Sequence, residues 1–138
     1  MNESTISIAI ITLNEENNIH RCLKSVNWAD EIVVADSGSR DATVAIAREF
    51  GATVSEIEFH NFSQAKQGAI NRCTSDWVLI LDADEEISKN LQYKIRSLLS
   101  KPQTADGYKI KRIAEFLGKK MRFGEWGSDY PRVYSKEN

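Results

Sequence analysis

Apolar positions along this chain fall into short runs of two kinds, and their alternation predicts the fold. Ile6 to Leu13 is a β-branched run that ends at Asn14-Glu15-Glu16, which reads as a buried strand entering a polar loop. Ile19, Cys22, Leu23 and Val26 then recur at helical spacing, giving one apolar helix face. Glu31 to Ala35 predicts a second buried strand that ends on Asp36, and Ser37-Gly38-Ser39 makes the turn. Ser39 is the expected N-cap of a helix from about Arg40 to Phe50, with Gly51 where a C′ glycine belongs. Ala52 to Phe59 reads as a third strand, and Ser63 as the cap of a short helix carrying Ala65, Ala69 and Cys73 on one face. Trp77 to Leu81 is uniformly apolar, the pattern of a strand covered on both sides. Ser88 caps a helix with Leu91, Ile95, Leu98 and Leu99 on one side, which ends before Pro102. Beyond Pro102 the pattern changes to alternation over Gly107 to Ile113, a turn at Gly118 and an extended run at Arg132 to Tyr134, predicting antiparallel or mixed pairing.

Strands alternating with helices imply a mostly parallel sheet with right-handed crossovers, in which ligands bind beyond the carboxyl ends of the strands. Three predicted strands deliver acids to that edge: Glu15 and Glu16, then Asp36, then Asp82 and Asp84. The last group is the densest, because Asp82, Asp84, Glu85 and Glu86 crowd into five residues. Carboxylates so close raise one another's pKa unless a cation or hydrogen-bond donors compensate. A hard divalent ion, Mg²⁺ or Mn²⁺, takes oxygen ligands and shares its shell with substrate phosphates. A solvated acidic turn explains any one of these acids; a single nucleotide–metal site explains all three groups together.

Composition adds bounds. The length of 138 residues suits one domain, and 41% hydrophobic and 28% charged residues are ordinary for a soluble globular protein. A formal net charge of −2 gives no global field for nucleic acid, although Lys109, Lys111, Arg112, Lys119, Lys120 and Arg122 cluster late, on a predicted hairpin. Cys22 and Cys73 sit within helical patterns and read as buried hydrophobes of a reducing compartment. No apolar run reaches the roughly 18 residues of a membrane span, and no signal peptide is visible, so a cytoplasmic protein is expected. His20 and His60 have no ligand spacing and are expected to be structural.

The set Thr12-Leu13-Asn14-Glu15, Asp36-Ser37-Gly38-Ser39-Arg40-Asp41-Ala42-Thr43 and Asp82-Ala83-Asp84 resembles family 2 glycosyltransferases of the GT-A fold. Ser37 departs from the acid common at that place in the family. Asp82-Ala83-Asp84-Glu85 with Gly118-Lys119 and Trp126, Asp129 and Arg132-Val133-Tyr134 is similar, more narrowly, to the branch that adds glucose to the bacterial lipopolysaccharide inner core. The resemblance implies a three-layer, Rossmann-like α/β/α sandwich, with residues 1–100 as the nucleotide-sugar half and 101–138 as a partial acceptor half. It implies that Asp36 accepts a hydrogen bond from the uracil imide, with Thr12 and Glu15 lining the base and ribose pocket and Asn14 and Gly38 also binding the nucleotide. Asp82 is implied at the ribose, Asp84 at the metal bridging the donor phosphates, and Lys66 near the nucleotide. Inverting transfer also needs a general base; Asp129 is the candidate and Glu125 the second, while Trp126 suits an acceptor sugar face.

The implied activity is metal-dependent inverting transfer of a sugar, glucose first, from a UDP-sugar to a glycan or glycolipid such as lipopolysaccharide core. Peripheral contact with the cytoplasmic face of the inner membrane is expected through the basic hairpin. The chain stops at Asn138, where further helices are expected, which implies either a minimal acceptor half or a truncated chain, with apolar surface available for a homodimer. Two other readings remain: a nucleotide-sugar-binding module without turnover, and a sugar-nucleotidyltransferase. The latter wants a glycine-rich, basic loop after the first strand, where this chain has Asn14-Glu15-Glu16. A haloacid-type phosphatase would carry its Asp-x-Asp on the first strand, and an EF-hand would need glycine where Ile87 stands. Gly-x-Gly-x-x-Gly and Walker A patterns do not occur.

Overall fold

The computed structural model describes residues 4–100 in full, and the strand backbones at 107–109, 113–116, 119–122 and 131–135. Four parallel strands form its centre: β1 (Ile6–Thr12), β2 (Glu31–Asp36), β3 (Thr53–Glu56) and β4 (Trp77–Asp82). Helices α1 (Ile19–Ser25), α2 (Thr43–Glu49), α3 (Phe62–Asn71) and α4 (Lys89–Leu99) separate or follow them. The later strands are β5 (Gly107–Lys109), β6 (Ile113–Phe116), β7 (Lys119–Arg122) and β8 (Pro131–Ser135). The main sheet has the order β3-β2-β1-β4-β8-β5, with β8 antiparallel to both β4 and β5. β6 and β7 pair separately as an antiparallel hairpin that carries Lys119, Lys120 and Arg122. The predicted change of style after Pro102 is therefore found.

Side-chain alternation on the strands divides the core into two layers. Ile6, Ile8 and Ile10 of β1, Ile32 and Val34 of β2, and Trp77, Leu79 and Leu81 of β4 point to one face. They pack there with Ile19, Cys22 and Leu23 of α1, Ala47 of α2, and Ile95 and Leu99 of α4. Ala9, Val33, Ala35, Val78 and Ile80 point to the other face and meet Ala69 of α3 and Cys73. Small residues on α3 let that helix lie close to the sheet. Each large side chain buried in this way contributes about 1.5–3 kcal/mol of transfer free energy.

Boundaries differ from the expectation in three places. β3 ends at Glu56, leaving Ile57 to Phe59 in a loop. The caps of α2 and α3 are also displaced. Ser39 does not cap α2, because its hydroxyl is committed to Asp36; Asp41 accepts the Thr43 N–H at the start of that helix. The cap of α3 is Asn61, whose Oδ1 accepts the Gln64 N–H at 2.8 Å, and Ser63 already lies in the first turn. Ser88 caps α4 as expected, accepting the Leu91 N–H at 3.1 Å.

Candidate functional site

The chain reverses direction across the sheet between β1 and β4: β2 and β3 lie on one side of β1, and β4 on the other. Such a switch point opens a crevice above the strand ends. A cavity of about 450 Å³ occupies it, lined at its polar side by Thr12, Glu15, Lys66, Asp82 and Asp84. That size lies within the about 300–1,000 Å³ of small-molecule sites. Five of the expected site residues thus share one space. Leu13, Ser37, Ile57, Phe59 and Phe62 also line it and were not singled out by the acidic pattern.

Asp36 lies directly behind this wall and is only 2% exposed. Its Oδ1 accepts the Thr12 hydroxyl and the Ser39 hydroxyl, both at 2.6 Å. Its Oδ2 accepts the N–H groups of Gly38 at 3.1 Å and Ser39 at 2.8 Å. Burial by itself pushes the carboxyl pKa up; the hydroxyls of Ser39 and Thr12 and the two N–H groups outweigh it and hold the group below its ordinary value. Gly38 has φ +104°, a left-handed conformation that turns its N–H back onto Asp36. Asp36 and Asp84 stand at the same sheet edge, linked through Thr12, which touches Asp36 and lines the cavity with Asp84.

The loops after β1 and β2 are laced together. Asn14, at φ 52°, donates its N–H to Ser39 Oγ at 2.8 Å and accepts the Arg40 N–H on Oδ1 at 2.8 Å. The Glu15 N–H donates to Thr43 Oγ1 at 2.9 Å, its Oε2 accepts from Asn18 Nδ2 at 3.1 Å, and the residue lines the cavity. Asn14 therefore sits in the wall's scaffold, outside the cavity lining. Glu16 turns the other way, its Oε2 accepting the Ala42 N–H at 3.1 Å. The bond from the Thr43 hydroxyl, helped by backbone N–H bonds, holds the Asp41 carboxyl below its ordinary range against the opposing effect of burial.

The four acids after β4 divide by role. Glu85 Oε1 accepts the Asp82 N–H at 2.8 Å, and Glu85 N–H donates to the Asp82 carbonyl at 2.9 Å, so Glu85 closes the turn. Glu86 faces Arg21 of α1 at 3.5 Å, in an exposed pair. Asp82 and Asp84 are left facing the cavity. Beneath them the Cys22 thiol donates to the Asp82 carbonyl at 3.6 Å. Burial first, then the charges of Glu85, Asp84, Asp82 and Glu15, push that thiol up to about 12. Acids from two strand ends thus act on a single buried atom.

Among the described residues no three His, Cys, Asp or Glu side chains form a ready-made metal cage. Asp84, an exposed hard-oxygen donor on a cavity that also offers Asp82, fits an ion that is bound by one or two carboxylates and by substrate phosphates. Asp129, Glu125 and Trp126 lie outside the described residues, as do Gly118, Lys111 and Arg112. His20 packs edge-on against Phe50 and His60 lies 3.6 Å from Glu58, neither of them at the cavity. Among the described residues no helix is long and apolar enough to cross a membrane.

Comparison with known proteins gives a consistent set of likenesses. The sequence profile of Glycosyl transferase family 2 matches residues 7–133. An uncharacterized glycosyltransferase of Rickettsia bellii (strain RML369-C) is 38% identical over 134 residues, covering 96% of this chain and 43% of that protein. The lipopolysaccharide core biosynthesis glycosyltransferase LpsC of Rhizobium meliloti (strain 1021) is 31% identical over 118 residues, covering 82% of this chain and 44% of that protein. Among solved structures, glucosyl-3-phosphoglycerate synthase from Mycobacterium tuberculosis, in complex with Mn²⁺, UDP and phosphoglyceric acid, superposes with a TM-score of 0.60 at 26% identity. The match covers 77% of this chain and 41% of that one. The chain spans between 25% and 47% of the length of the curated relatives it matches.

Proposed function

The chain belongs to glycosyl transferase family 2, and from that premise we propose that it provides the donor-binding half of an inverting, metal-dependent transfer of a sugar from a UDP-sugar. Its layered sheet, with helices on both faces and a switch point at β1, is the GT-A architecture expected from the sequence. The observation that carries the proposal is the single cavity shared by Thr12, Glu15, Lys66, Asp82 and Asp84. The mycobacterial synthase, whose complex contains UDP and Mn²⁺, supports a uridine nucleotide and a divalent cation as ligands.

In this reading the uracil imide approaches Asp36 from the cavity beside Thr12. Thr12 is the one partner of the Asp36 carboxylate that also lines the cavity, and its hydroxyl can rotate to yield an acceptor site. Gly38 and Ser39 hold the carboxylate while this happens. Glu15 and Asp82 take the ribose hydroxyls, and Lys66 faces a phosphate. Asp84, with Asp82 beside it, would hold Mg²⁺ or Mn²⁺, which when bound offsets the charge that grows on the departing nucleoside diphosphate. Asp129 is proposed as the base that takes the acceptor hydroxyl proton. A glycolipid acceptor of the lipopolysaccharide-core kind fits the likeness to LpsC, a glucose donor fits the glucosyl product in the name of the mycobacterial synthase, and work at the cytoplasmic face of a membrane is part of the same proposal.

Isothermal titration with UDP tests the reading. The expected result is binding that strengthens with Mn²⁺ and loses that dependence in Asp84→Ala. Absence of UDP binding, or binding indifferent to both metal and Asp84, would overturn it.

A further inference from the structure

The cavity has a second wall that the acids do not explain. Phe59 and Phe62 are 47% and 67% exposed, yet their rings meet edge to face at 5.1 Å and 75°. Both line the same cavity as Asp82 and Asp84. We propose that this aromatic pair is the surface on which the planar base of the bound nucleoside diphosphate packs, an assignment that rests on the donor reading above.

The layout of the sheet supports that occupant. Ile57 and Phe59 follow β3, Ser37 follows β2, Thr12 ends β1, and Asp82 and Asp84 end or follow β4. In the order β3-β2-β1-β4 the loop carrying Phe59 leaves the edge strand β3 and the acids stand at the end of β4, so the cavity has an aromatic side and an acidic side. A nucleoside diphosphate has a matching layout along its length, with an uncharged planar ring that stacks on aromatic surfaces at one end and anionic oxygens at the other. A diphosphate drawn to a cation held at Asp82 and Asp84 would leave the ring on the aromatic side.

α3 adds a local match. Asn61 caps this helix and fixes Phe62 at its first position. Lys66 follows one turn later and lines the cavity too, while Ala65 is small and 4% exposed, leaving room between them. Residues four apart on a helix stand about 5–6 Å from each other, a separation that suits a ring on Phe62 with an anionic group near Lys66. The edge-to-face contact with Phe59 holds the Phe62 ring before ligand arrives, which lowers the ordering cost of binding.

Titrating the full chain with UDP and, separately, with pyrophosphate, each with Mn²⁺, tests the assignment. Phe62→Ala is expected to weaken UDP roughly tenfold, in the range found for loss of one base–aromatic stack, and to leave pyrophosphate unchanged. Phe62→Trp restores UDP affinity. Circular dichroism checks that the variants remain folded, and the exposure of Phe62 makes truncation mild. Wild-type binding of UDP with Phe62→Ala unchanged overturns this assignment alone, as does an equal loss for UDP and pyrophosphate. Wild-type protein that binds no UDP overturns the donor reading, and this assignment with it.

Discussion

The Thr12 hydroxyl donates to Asp36 Oδ1 across 2.6 Å and so ties the carboxyl end of β1 to that of β2. Both residues are almost fully buried, but they meet different demands: Thr12 lines the cavity, whereas Asp36 does not and is held by four donors. Removing the carboxylate strands those donors together. Asp36→Ala is expected to cost about 3 kcal/mol, and Thr12→Val about 1 kcal/mol, since only one bond is lost there. Urea unfolding measures this as a lower midpoint at unchanged m-value; equal midpoints for wild type and Asp36→Ala would refute it.

The same carboxylate sets a pH dependence. Its folded pKa lies below the ordinary value of 3.8, so its contribution is complete above that value and is lost as pH falls through the lower, folded one. The stability gap between wild type and Asp36→Ala should hold constant from about pH 7 to about pH 5 and narrow at more acid pH. A gap that grows on acidification contradicts this account of Asp36.

Cys22 titrates at the opposite extreme. Burial and the four nearby carboxylates raise its pKa from 9.0 to about 12. A group whose folded pKa is raised stabilises fully below the unfolded value and loses that contribution as pH climbs through the folded one. The loss should therefore fall between pH 9.0 and about 12 and be absent in Cys22→Ala. At neutral pH, Cys22 and Cys73, both buried, should react with a thiol reagent only at the rate of protein opening. Immediate labelling of either in native protein would show that the core is not closed as described.

Asn14 separates backbone from side-chain effects. Its φ of 52° favours glycine or asparagine, and its Oδ1 holds the Arg40 N–H. Asn14→Ala loses the bond and keeps the strain, and should cost about 1–2 kcal/mol; Asn14→Gly loses the bond but relieves the strain, and should cost less. Thermal melts of the two variants decide the order. Alanine as the milder change would discount the backbone argument.

Glu86 supplies the internal control for the acidic run. Its pair with Arg21 is exposed and expected to contribute less than about 0.5 kcal/mol. Glu86→Gln should leave both stability and the metal dependence of UDP binding unchanged, in contrast to Asp84→Ala. A Glu86→Gln variant that lost metal dependence would show that the division of acids after β4 is misassigned.

Much of this arrangement was legible in the sequence, for a definite reason. Trp77 to Leu81 is apolar at every step and Ile6 to Leu13 at all but Ser7 and Thr12, a pattern of strands covered on both faces, and their carboxyl ends locate the crevice. Acids at those ends are visible as letters. Which way each turns is not, because reach and hydrogen-bond partners are decided by neighbours distant in sequence: Glu16 meets Ala42, Glu86 meets Arg21, and Asp36 meets Thr12. Caps failed for the same reason, since Ser39 has a better partner in Asp36 than in its own helix. Phe59 and Phe62 escaped notice because an apolar residue near a strand end looks like core until its exposure is known.

The antiparallel seating of β8 on β4 carries a consequence for biosynthesis. Val78 pairs with Tyr134, so the fourth strand emerges from the ribosome more than fifty residues before the neighbour that seals its outer flank. During that interval the backbone edge of this apolar strand shows an open row of amide and carbonyl groups to the solvent, a template for pairing with another nascent copy. Slowing translation after residue 100 should therefore raise the yield of insoluble chains, while supplying the later strand promptly should lower it.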